Sequence, residues 1–120
     1  MAKKKETQAV FDIGARLENI QMLKDTNRTK EAIAYEYMLF VMLCTMKFRA
    51  PKLPSQSIRD YAMVMVKDYN LDPGNVYPFV QEVEQIIYGG RRPSADAFQH
   101  SLTSFGKVFE EIVGKPLPPL

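Results

Sequence analysis

His100 and Cys44 are the only histidine and the only cysteine in 120 residues, so acid-base, nucleophilic or metal chemistry has to begin with them. A zinc site takes three or four ligands at short local spacing, and no CxxC, HxxxH or second histidine is there to build one. Cys44 stands among Leu43, Thr45 and Met46, where a cysteine behaves as a small hydrophobe; a Cys44/His100 nucleophilic pair is the competing reading. The carboxylate pairs Glu82/Glu84 and Glu110/Glu111 are one or two residues apart. On a helix such neighbours diverge and cannot converge on one bond, so both pairs read as solvated faces. Gly89 and Gly90 lie in no GxxxxGK[ST] or GxGxxG frame. No catalytic residue, cofactor or metal ligand is assigned, and the expectation is a chain that is not an enzyme.

Binding chemistry has more to work with. Arg91 and Arg92 fall in an interhelical loop, where a guanidinium offers a rigid bidentate fork to a phosphate or carboxylate. Lys3, Lys4 and Lys5 form a basic start that reads as a solvated tail with an attraction for anionic headgroups, so any membrane contact would be peripheral. A formal net charge of +2 is small for a nucleic-acid footprint. The ending GKPLPPL has PxxP spacing at Pro116 and Pro119, which suits an SH3-type ligand or simply a helix stop.

The elements carrying these residues follow from hydrophobic period and punctuation. Residues 32–48, AIAYEYMLFVMLCTMKF, contain only Glu36 and Lys47 as charges. The uncharged run from Tyr37 to Met46 is about half of the ~20 residues that cross hydrocarbon, which makes it a central core helix and not a membrane span. Thr29 is placed as its N-cap. Before it, Thr7 to Lys24 carries Val10, Ile13, Leu17 and Ile20 as a narrow stripe, an arm that packs on the bundle or on a second copy to give a homodimer. After the RAPKLPSQS loop, Ser57 and Asp60 form a capping box for a helix with Ile58, Tyr61, Ala62, Met65, Val66 and Tyr69 on one face. Asp72 before Pro73, or Asn75 one turn on, opens a fourth helix through Val76, Phe79, Val80, Val83 and Ile87. It ends at Tyr88 with Gly89 and Gly90 supplying a left-handed position. Ser94 caps a fifth, with Phe98, Leu102, Phe105, Phe109 and Ile112 inward and Gly114 with Pro116 as its stop.

No segment alternates with period two between hairpin turns. The expected fold is all-α, a compact and mostly antiparallel bundle of about five helices with no sheet. Its divisions are an accessory helix with a basic tail over 1–28, a bundle over 29–114 and a proline-rich tail over 115–120. The lone cysteine and the lack of a secretory h-region suggest a cytoplasmic setting.

YEYMLFVMLCTMKFRAPKLPSQSIRDYAMVMV and FVQEVEQIIYGGRRPSADAFQHSL together resemble the helical C-terminal cytoplasmic domain of transglutaminase-like membrane proteins, a domain of unknown function. The resemblance spans about residues 30–114. Arg49, Pro54 and Ser57 stand at the family's loop into its second helix, with Ser57 in place of Thr and Asp60 in place of Glu; Tyr61 matches the aromatic that follows. Tyr88 and Gly89 match a terminal Tyr-Gly, although Ile87 stands where arginine is common. The resemblance implies an adaptor at the cytoplasmic side of a membrane assembly. Its implied partners are a MoxR-type AAA ATPase or a transglutaminase-like membrane protein, and the chain would be a free-standing relative or an excised domain. The alternative function is a small helical nucleic-acid-binding regulator using Arg91, Arg92 and the lysine tail.

Overall fold

The computed structural model describes residues 12–90 and 92–120. Lys3, Lys4, Lys5, Val10, Arg91 and the expected helix start at Thr7 lie outside them. Among the described residues there are five helices and no strand: α1 (Ile13–Asp25), α2 (Thr29–Phe48), α3 (Ile58–Tyr69), α4 (Pro73–Tyr88) and α5 (Ala95–Val113). The all-α bundle expected from the sequence is the fold.

Each helix begins and ends for a local reason. The Asp12 carboxylate accepts the Ala15 N–H ahead of α1. Its far end closes with Asn27 at φ 64°, the Arg28 N–H on the Leu23 carbonyl and the Asn27 N–H on the Lys24 carbonyl, the paired bonds of a Schellman turn. That turn corrects the cap expected at Thr29. Arg28 occupies the cap position and Thr29 is already helical, so no hydroxyl caps α2; the Arg28 guanidinium instead pairs with Glu31 in the first turn. Ser57 and Asp60 form the expected reciprocal box, with Ser57 Oγ accepting from the Asp60 N–H at 3.0 Å and Asp60 Oδ2 from the Ser57 N–H at 3.2 Å. Asp72, not Asn75, caps α4, with Pro73 following as the first helical residue. The left-handed position after α4 belongs to Gly90 alone. Gly89 is right-handed and fails a different test, since a Cβ there would sit 2.2 Å from the Gln85 carbonyl oxygen.

α2 is the centre. It packs against α1, α4 and α5, while α3 packs on α4. An aromatic chain runs through the core, from Tyr61 edge-on to Phe40, to Phe79, to Phe105 and on to Phe109, with centroids 5.7–6.2 Å apart. Tyr61 keeps its polar end satisfied by donating to the Ala50 carbonyl at 2.6 Å.

The stripe on α1 docks on this body. Leu17 and Ile20 are buried in the common core and Ile13 packs against it, because the short turn at 26–28 lays α1 back along α2, where Arg16 and Asn19 both donate to the Tyr35 hydroxyl. Leu17 and Ile20 therefore present no surface to a partner. Nor do the described residues of α1 stand apart from the bundle. No helix among the described residues is long and apolar enough to cross a membrane.

Candidate functional site

The structure does not bring Cys44 and His100 together. Cys44 is fully buried on α2, and desolvation pushes its thiol up to about 12, far from a reactive thiolate. His100 is exposed on α5 and faces Glu82 of α4 through Nδ1. Ser104, one turn further along α5, donates to the other oxygen of the same carboxylate at 2.8 Å. This Glu/His/Ser group has the residue types of a hydrolytic relay in the wrong order: the hydroxyl proton points at the carboxylate, so the imidazole has no serine proton to accept. Among the described residues no group of three or more His, Cys, Asp or Glu is placed to hold a metal.

The paired carboxylates are not solvated faces throughout. Glu82 and Glu84 are largely covered, Glu84 accepting from Arg59 of α3 at 2.9 Å. Glu111 accepts the Asp72 N–H at 2.7 Å and the Asn75 amide at 3.0 Å, fastening the start of α4 to α5. Only Glu110 remains exposed as expected. Sequence spacing correctly separates the members of each pair, but their partners lie on other helices.

Arg92 comes to rest beside the start of α2. With Asn27, Arg28, Lys30 and Gly90 it lines a hollow of about 260 Å³. Pro116 and Pro119 line a groove of about 590 Å³ between α1 and α5, and Leu117 lies over Gly106, 3.7 Å from where a Cβ would be. The PxxP segment thus lies against its own bundle. The residues carrying the family resemblance are structural here. Arg49 takes a left-handed φ of 56° to end α2, Pro54 lies in the α2–α3 loop, Ser57 and Asp60 cap α3, Tyr61 is core, Tyr88 is exposed and Gly89 ends α4.

Two features escape a linear reading. Glu36 is fully buried, with Oε1 lacking any partner among the described residues and Oε2 3.4 Å from Ser101 Oγ. Burial holds its carboxyl well above the usual range; the Ser101 contact opposes this and the nearby Glu82 adds to it. The second feature is the outer face of α2. Tyr35, Met38, Met42, Thr45 and Met46 leave apolar surface in solvent on the best-anchored helix, with Met38 42% and Met46 39% exposed. A run apolar on most of its circumference predicts burial by helices on several sides, and α2 has that from α1, α4, α5 and, through Phe40 on Tyr61 and Phe48 on Tyr69, from α3, yet this one face is left bare.

Glu31, Tyr35, Met38, Met42 and Thr45 follow alternating four- and three-residue steps, the spacing of a helix-pairing seam, and Arg49 stands one step further on, at the left-handed position that ends α2. Lys47 does not interrupt it, because its ammonium turns to the opposite side and donates to the Ile112 carbonyl at 2.7 Å. Tyr35 is fixed at the seam by the two donors on α1. Comparison with protein-family models, curated proteins and solved structures finds no match, so the geometry of this helix face is what a functional reading has to stand on.

Proposed function

We propose that this chain is a non-catalytic helical interaction domain whose working surface is the outer face of α2. The single observation carrying the reading is the heptad-spaced seam of Tyr35, Met38, Met42 and Thr45 on a helix held from behind by α1, α4 and α5. Methionine side chains are flexible and polarisable, so such a face accommodates a facing helix without demanding one fixed shape. A rigid platform with a compliant surface suits an adaptor. The resemblance to transglutaminase-associated domains supports the same role at the cytoplasmic side of a membrane assembly, with a MoxR-type ATPase or the membrane protein itself as partner.

Titrating labelled amphipathic heptad peptides against dilute protein and following fluorescence anisotropy tests the reading. Saturable binding that Met38→Asp abolishes, with the thermal melt preserved, is expected. Reproducible turnover lost in Cys44→Ala or His100→Ala with folding intact would overturn it in favour of an enzyme.

The nucleic-acid reading retains one observation, the gathering of Arg92 with Arg28 and Lys30. Phosphate contacts there require affinity to fall steeply as salt rises. Absence of binding to duplex or single strand at low salt removes that reading.

A further inference from the structure

We infer that the outer face of α2 is self-complementary, and that two copies of this chain pack through it spine to spine in antiparallel orientation. The inference rests on the reading of that face as a helix-docking surface and names its occupant, a second copy of the chain.

The seam supplies the register. Glu31 with Arg49, Tyr35 with Thr45 and Met38 with Met42 share a midpoint at position 40. A two-fold axis through that point, perpendicular to α2, places each residue at the height of its counterpart on the other copy. The apolar pairs fall in the middle and a carboxylate meets a guanidinium at both ends. A parallel pairing would set Glu31 against Glu31 and Arg49 against Arg49, so the charges choose the orientation. Such an interface uses the same patch twice and closes on itself.

Both end groups are available. Arg49 makes no ion pair among the described residues and is exposed. Glu31 is paired with Arg28, yet its side chain is 56% exposed, which leaves room for a second guanidinium. Between them α2 itself sets no charge on the face, since Glu36 points inward and Lys47 is engaged with α5; the Arg16 guanidinium of α1 reaches it only at the Tyr35 hydroxyl. The two copies of α2 therefore meet as an uncharged strip with complementary ends.

Disulfide trapping in a Cys44→Ala background tests orientation and register together, with Ala34 and Thr45 as probe positions flanking one layer of the seam. In the antiparallel dimer, Ala34→Cys of one copy and Thr45→Cys of the other lie at nearly the same height, whereas like sites are separated by about 15 Å or more along the axis, too far to bridge. Mixed chains are expected to form the heterodisulfide in preference to either homodisulfide. In sedimentation equilibrium, Arg49→Glu is expected to weaken the dimer about tenfold and the added Glu31→Arg to restore it, with the melts of all variants compared as folding controls. Preferential homodisulfides would overturn the arrangement. A chain monomeric at every concentration, with Met38 and Met46 freely oxidised by peroxide, would overturn the dimer and leave the face open to another protein's helix. A monomer with both methionines protected would show residues 1–11 covering the face, and would overturn the docking reading as well.

Discussion

The Glu36 carboxyl meets Ser101 across the α2–α5 interface, one oxygen 3.4 Å from the hydroxyl and the other without a polar partner among the described residues, with both residues fully buried. The Ser101 hydroxyl also lies 2.9 Å from the Phe98 carbonyl, to which it can donate, so it gives the glutamate at best a shared bond. A carboxyl so placed is easier to keep neutral than ionised. Its pKa is raised on folding, so between the unfolded value and the folded one the native state holds the extra proton and stability falls as pH rises.

Glu36→Gln keeps the shape and removes the titration. Denaturant melts from pH 5 to 8 should show the parent losing stability with pH, at most by about 1.4 kcal/mol per unit. The variant should have a flatter profile and exceed the parent at the alkaline end. Parallel profiles would mean that Glu36 is hydrated in solution.

Ile20 is fully buried although it lies on the first described helix. Ile20→Ala is expected to cost about 2–5 kcal/mol, the usual range for such a truncation in a core. Deleting residues 1–24 should remove the cooperative thermal transition, because Leu17 and Ile20 leave with it. A deletion chain that still melts cooperatively would restore the view of this helix as a dispensable arm.

Thiol labelling reports on Cys44 directly. With the group fully buried and its pKa at about 12, a disulfide reagent at pH 8 should leave the native chain unmodified and react only as denaturant unfolds it. Rapid native-state labelling would show that α2 opens locally.

Ser57→Ala removes one half of the α3 capping box and should destabilise the chain by about 1 kcal/mol. Asp60→Ala removes the other half, and the double variant should cost less than the sum, since either loss already breaks the reciprocal pair. Additive costs in a double-mutant cycle would count against the reciprocity.

Helix identity and most boundaries were set by local chemistry, which a sequence displays. Ser57 with Asp60, Asp72 before Pro73, Ser94 and Gly114 each act within a turn of themselves, and all do in the structure what their types require. The aromatic and aliphatic faces of α3, α4 and α5 were legible for the same reason, because period and burial coincide on a helix covered from one side. Thr29 was misread because a Schellman turn upstream had already assigned the cap to Arg28, a matter of backbone path over several residues. The partners of Glu82, Glu84 and Glu111, the isolation of Glu36 and the open side of α2 were decided only by which helices came to lie together. A run apolar on most of its circumference reports that a helix is central, but not which side its neighbours leave bare, since that depends on contacts between residues far apart in the chain.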